Sequence, residues 1–299
     1  MRLKALSLRD KKIFSRFLSL RRHMLSPYAF ENIYIWKGLF KIEWAIINES
    51  LCVFFRDKTG SFLYLPPLCL RRHPDALTQA FKIMDSLNKN RQISRIENIE
   101  SNELACFKRM GYFCYEKPPD YLCLRADLVN LKGVRFKSKR SSANYFTKHY
   151  QFAYLPFSGQ ESMGCLALYK SWMSERAKKN RDPLYQGMLR DMQGCLEILL
   201  RDCLGLDVRG AVVKIGGSIK GFTLGFKLNP ATFCILYEVT DLSIKGLAQF
   251  IFRQFCSGLK GYKYINIMDD SGLDNLKETK LSYHPLRLIP AYIAVRQNG

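Results

Sequence analysis

The sequence predicts a mixed α/β protein built as two similar halves, and three observations carry that expectation. The chain has 299 residues, too many for one small core and well suited to two domains of about 150. Of these, 47% are apolar and 13% aromatic, enough to bury a core and unlike a disordered tail. Short apolar runs alternate with amphipathic stretches in one order in residues 1–150, and again with sharper boundaries in 151–299.

In the first half, Ser7 and Asp10 have capping-box spacing ahead of Ile13, Phe14, Phe17 and Leu18, which recur at helical intervals. Ser26-Pro27 offers an N-cap and an N1 proline for a second helix over residues 28–36. Residues 41–47, 51–56 and 61–65 are strand-like runs split by Asn48-Glu49-Ser50 and Asp57-Lys58-Thr59-Gly60, the pattern of an antiparallel meander. Pro74 opens a helix to Leu87, residues 96–99 form a strand, and Ser101 starts a helix that Gly111 ends. The charged, apolar-poor segment 133–150 is expected to bridge the halves.

The second half starts with a strand near residues 151–155 and helices near 161–178 and 183–203. Strands over 210–215, 220–227 and 232–239 follow, then a helix over 246–259, a strand over 262–268, a helix over 272–280 and a strand over 288–295. This β-α-α-β-β-β-α-β-α-β order is that of a GNAT fold, and the first half carries a weaker version. The expected architecture is therefore tandem GNAT-like, with domains at 1–150 and 151–299.

The formal net charge is +21, which calls for an anionic partner. Residues 1–150 hold 28 basic and 13 acidic groups, against 19 and 13 in 151–299. Nucleic acid and an anionic membrane surface both fit such a field. The ten cysteines show no CxxC pair and the four histidines are dispersed, so reduced core thiols and no metal site are expected. No window reaches the roughly 18 uncharged apolar residues of a spanning helix, and the start lacks a long apolar signal region. A cytoplasmic location without a transmembrane segment is the expectation.

Several strings resemble the phosphatidylglycerol lysyltransferase C-terminal domain family. Ser26-Pro27-Tyr28-Ala29-Phe30-Glu31-Asn32-Ile33-Tyr34-Ile35-Trp36 is similar to the family's signature of serine, phenylalanine, asparagine, tyrosine and tryptophan. Asp120-Tyr121, Leu131-Lys132-Gly133 and Lys139-Arg140 resemble its middle run, with Ser141 where the family has asparagine. Glu238-Val239-Thr240-Asp241, Lys245-Gly246, residues 266–273 and Lys280-Leu281-Ser282-Tyr283-His284-Pro285 resemble its most characteristic stretch. The resemblance implies a tandem GNAT fold related to the Fem-type aminoacyltransferases. It also implies transfer of an acyl group, donated in the lysyltransferases by aminoacyl-tRNA.

Such transfer needs a base, donors for a developing oxyanion and a cradle for the donor's phosphates. Glu238 and Asp241 lie at the exposed end of an apolar strand, where partial burial makes a carboxylate a base; capping and ion pairing are the alternative. Residues 243–248 have the spacing of a pyrophosphate loop, with Ser243 replacing its basic or amide residue, so Lys245 and Gly246 become donor-binding candidates. Asn266, Asp269, Asp270 and Lys280 cluster past a buried strand as substrate-binding candidates, and Tyr283 can donate to a leaving oxygen or simply pack. Arg135, Lys137, Lys139 and Arg140, with Arg176 and Lys178, interleave with aromatics as expected for contact with unpaired RNA bases. Taken with the resemblance, these residues lead to the expectation of aminoacyl transfer from tRNA to an amine or hydroxyl acceptor, with no permanently bound cofactor. An acyl-CoA-dependent N-acyltransferase and a catalytically silent RNA- or anionic-surface-binding protein are the other readings.

Overall fold

At the start of the chain the Asp10 carboxylate accepts hydrogen bonds from the Ser7 backbone N–H at 2.8 Å and from its hydroxyl at 2.9 Å. Strand β1 (Lys4–Ala5) precedes this cap, and α1 (Lys11–Leu18) follows it, burying Phe14 and Phe17. The computed structural model describes residues 2–71 and 73–297. It contains two compact units. One holds the chain up to Asp120 together with Asp269–Leu273 and the end from Leu288; the other holds Tyr121–Met268 and Asp274–Arg287.

In the first unit, α2 (Phe30–Ile35) begins later than Ser26-Pro27 would start it. Ser26 is already committed: its N–H donates to buried Asp120 at 2.6 Å, and its carbonyl accepts from Asn32 at 2.9 Å. The meander forms as β2 (Lys41–Ile47), β3 (Ser50–Arg56) and β4 (Ser61–Leu63), each antiparallel to the last. Then come α3 (Pro74–Leu87), β5 (Arg95–Glu100), which pairs parallel with β4, and α4 (Ser101–Arg109), followed by Gly111 at φ 82°. Leu63, Ala80, Met84, Ile96 and Phe107 meet in one core.

Strand β6 (Tyr112–Leu124) has no counterpart in the sequence expectation. It runs through Pro118-Pro119, whose nitrogens cannot donate to a ladder. The units divide at Asp120/Tyr121, within this strand, rather than at 150. Residues 133–150, expected as a bridge, instead lie in the second unit as a short 3-10 turn and α6 (Lys137–His149), after α5 (Arg125–Asn130). Only Ala143 and Phe146 of α6 are buried, too thin a stripe to register as periodicity.

The second unit continues with β7 (Ala153–Pro156), α7 (Ser162–Lys179), α8 (Pro183–Arg201), β8 (Val208–Ile215), β9 (Ser218–Asn229) and β10 (Thr232–Thr240). It then adds α9 (Leu247–Gly258), β11 (Tyr264–Asn266) and α10 (Asp274–Leu281). β7 to β10 are antiparallel neighbours, and β11 joins β10 in parallel. Each unit thus has one parallel pair beside an antiparallel meander, as a tandem GNAT fold requires. The last strands are exchanged between the sequence halves. β12 (Arg287–Arg296) pairs with β5, Tyr292 opposite Ile99, whereas the end of β6 pairs with β11, Cys123 opposite Ile265. Among the described residues no helix is long and apolar enough to cross a membrane, and all ten cysteines are free thiols.

Candidate active site

The ladder between β10 and β11 stops at Cys234/Asn266, so among the described residues β10 has no strand partner on that side from Ile235 onward. Next to the opening, β10 carries one extra residue. Ile235 faces Gly225 on β9 and Tyr237 faces Leu224, leaving Leu236 as a bulge. A bulge shifts the two-residue alternation of side chains. Phe233 and Ile235 pack with α9, whereas Tyr237 turns the other way, its ring 6.3 Å from Tyr169 and its hydroxyl donating to the Met192 carbonyl at 2.8 Å. Glu238 therefore returns to the α9 side, beside Cys256, Lys139, Lys280 and Tyr283.

The Glu238 carboxyl is half-buried and, among the described residues, forms no hydrogen bond or ion pair within 4 Å. Burial lifts its pKa from 4.5 to about 8, against the opposing pull of the Lys139 and Lys280 ammoniums. Lys139 on α6 is itself half-buried, with its pKa lowered by burial and partly restored by Glu238. Its Nζ sits 4.2 Å from the centre of the Tyr283 ring, a cation–π contact. Tyr283 packs on Phe252 at 4.6 Å, and burial, then the charge of Glu238, hold its phenol well above the usual range. It remains a proton donor at neutral pH. Lys280 donates to the Ile267 carbonyl and, at 3.2 Å, to that of Met268. Fully buried Asn266 accepts the Met268 N–H at 2.7 Å, closing a turn in which Met268 takes φ 60°.

These groups can act together. A carboxyl with a pKa near neutral can take a proton from a nucleophile, two ammoniums can stabilise a developing oxyanion, and a phenol can supply a proton to a leaving oxygen. Lys139 was expected on an RNA-facing surface but is turned inward. Cys123 and Cys256, both raised by burial, line the same place. The one sequence signal for Cys256 is its spacing four residues after Phe252, on the same helix face.

Asp241 is occupied differently. It accepts from Lys220 at 2.9 Å, from the Ser243 N–H at 3.0 Å and from the Ser243 hydroxyl at 2.6 Å. Burial alone would raise its pKa, but these bonds hold it below the ordinary value. The carboxylate ties the turn between β10 and α9 to β9. Asp241→Asn is expected to cost about 1 kcal/mol of stability, as for a partly exposed pair, and to change turnover less than about threefold. Turnover abolished at an unchanged melting temperature would make Asp241 the base instead.

The other candidates are scattered. Asp269 and Asp270 belong to the first unit, where they accept the N–H groups of Ser271 at 2.8 Å and Gly272 at 2.9 Å in successive turns. Lys245 is exposed, 4.5 Å from the Tyr145 ring, which stacks on His149 at 4.0 Å. Gly246 takes φ 84°, and a Cβ there would lie 2.0 Å from the Ser142 carbonyl oxygen of α6. Arg135 pairs with Asp127 at 3.1 Å, and Arg140 donates to the Leu131 and Gly133 carbonyls. Both brace the segment before α6. Arg176 lies 5.5 Å from the Trp172 ring with its Nε buried and unpartnered, while Lys137 and Lys178 are exposed. No group of three or more His, Cys, Asp and Glu placed to hold a metal occurs among the described residues.

A family model described as "Phosphatidylglycerol lysyltransferase, C-terminal" matches residues 20–295. Among solved structures, a conserved protein of unknown function from Bacteroides thetaiotaomicron superposes with TM-score 0.89 at 24% identity, over 99% of this chain and 100% of that one. The L-PGS structure from Bacillus licheniformis gives TM-score 0.64 at 16% identity, over 97% and 93%. The structure of FemX gives 0.63 at 10%, over 100% and 98%. Comparison with curated proteins gives no match.

Proposed function

The chain belongs to the phosphatidylglycerol lysyltransferase C-terminal family, and on that premise we propose that it moves an aminoacyl group from aminoacyl-tRNA to an amine or hydroxyl acceptor. Membership supports an acyltransferase of the lysyltransferase type. The observation that carries the finer reading is the Glu238 carboxyl, without a bonded partner among the described residues and shifted to about 8 beside two ammoniums and a phenol. In the proposed reaction the acceptor nitrogen or oxygen attacks the ester carbonyl and passes its proton to Glu238. Lys139 and Lys280 stabilise the tetrahedral oxyanion. The ester bond to the terminal ribose then breaks, and the ribose oxygen takes a proton from Tyr283, which regains one from Glu238. We place the reaction in the cytoplasm, where charged tRNA is available.

The charge distribution supports an RNA donor, since Lys137, Lys148, Lys178 and Lys245 are all exposed. The acyl-CoA alternative is weakened at the β10–α9 turn, where the Asp241 carboxylate holds Ser243 at the place a pyrophosphate would need. Binding of charged tRNA should therefore fall steeply with salt, with a log-log slope of roughly −0.7 to −0.9 per neutralised phosphate. Filter binding across a salt series tests this. A flat response, or acyl transfer from acyl-CoA but not from aminoacyl-tRNA, would overturn the donor.

A further inference from the structure

A groove on the first unit lies apart from the residues of the candidate active site. It opens to about 580 Å³ between α1 and the segment after β4, within the usual range for ligand sites. Phe17, Leu20, Ile46 and Leu70 are its apolar lining. Leu70 is 66% exposed and Ile46 44%, an arrangement that leaves hydrocarbon in water for no packing gain. Leu70 is nonetheless held in place. Arg21 donates to its carbonyl at 2.8 Å and pairs with Glu103 at 3.6 Å, and Leu68 exchanges two backbone hydrogen bonds with Leu51.

Two arginines complete the groove. Arg16 and Arg71 line it, and among the described residues neither guanidinium has an ion pair or hydrogen-bond acceptor; Arg16 only lies 4.9 Å from the Phe17 ring. The lining carboxylate, Glu49, lies at the rim with its side chain 88% exposed, 3.6 Å from the His73 ring. Apolar side chains held outward between uncommitted guanidiniums match the two layers of an anionic bilayer, phosphates above and acyl carbons below. A nucleic-acid backbone would use the arginines but gain nothing from Leu70 and Ile46.

We propose that this groove docks the first unit onto an anionic membrane, with Leu70 and Ile46 entering the interface and Arg16 and Arg71 bound to lipid phosphates. This stands on the first unit alone and holds whatever the second unit catalyses. Vesicle co-sedimentation tests it, using phosphatidylcholine alone and phosphatidylcholine mixed with phosphatidylserine. The protein should sediment with the mixed vesicles and remain in solution with the neutral ones. Arg16→Ala with Arg71→Ala should weaken binding about thirtyfold, taking about fivefold per basic residue at an anionic surface. Leu70→Asp should weaken it about tenfold or more, with melting temperatures near the parent's. Equal binding to both vesicle types, or binding unchanged in either variant, would overturn the proposal. So would a double variant that keeps vesicle binding and loses tRNA binding, which would make the arginines an RNA contact.

Discussion

Replacing Glu238 with glutamine is expected to lower acyl transfer by about 10²- to 10⁴-fold, the usual contribution of a positioned base, while making the protein more stable at alkaline pH. The two effects have one origin. Burial raises the carboxyl from 4.5 to about 8, so between those values the folded chain holds a proton that the unfolded chain has released. Stability then falls as pH rises through that window, and the full cost is present above about 8. Glutamine cannot ionise and keeps what the parent loses. After discounting a half-buried group for solvent screening, the gain is about 1–3 kcal/mol at alkaline pH, or roughly 2–4 °C per kcal/mol for a chain of this size. Below about pH 4 the two proteins should melt together. In the parent, kcat/KM should rise through about pH 8 as Glu238 ionises and fall again as Lys139, lowered by burial, gives up its charge. Rate and melting temperature are to be measured on the same samples. Lost turnover with gained alkaline stability identifies a base; loss of both identifies a structural carboxylate and removes Glu238 from the chemistry.

Gly246→Ala should be the most damaging single-methyl change in the second unit, at about 2–5 kcal/mol. A left-handed backbone costs a residue with a Cβ about 1–2 kcal/mol, and overpacking adds about 1–3. Here the obstacle is backbone, because the new methyl would lie 2.0 Å from the Ser142 carbonyl oxygen. α6 must move away, and Lys139, one turn earlier on the same helix, moves with it. Transfer should fall at least about tenfold even where the variant is fully folded. Gly111→Ala provides the comparison. Its φ is 82° and nothing lies within 4 Å of the added Cβ, so only the backbone cost applies. Thermal melts of the two variants separate strain from collision; equal losses would mean that α6 is not docked through Gly246.

Local features were legible wherever the cause was local. α3 begins at Pro74 and ends at Leu87 as its proline and helical spacing predict, and β2 spans Lys41–Ile47 because its apolar run is bounded by turn residues. β6 was hidden by Pro118-Pro119, and α6 by burying so little of itself. The candidate site was half legible. A strand running from buried to exposed marks Glu238, but only the bulge at Leu236 shows which way it faces, and a one-residue slip in pairing leaves no trace in composition. Lys139 reads as one charge in a basic string until α6 is docked. Asp269 and Asp270 stand three and four residues from Asn266 in sequence, yet their carboxylates each accept a backbone N–H of their own turn.

The exchange of final strands also sets the order of events on the ribosome. β12 comes from the last residues of the chain, yet it lies in the first unit's sheet between β5 and β6. When β5 and β6 leave the exit tunnel, the slot between them stays empty until the chain of the second unit, which precedes β12 in sequence, has been synthesised. Pairing across such a sequence separation is slow to form, and for that interval two strands present open backbone edges. The nascent first half is therefore expected to keep these edges open until β12 arrives, and termination just short of β12 would leave it permanently unsealed.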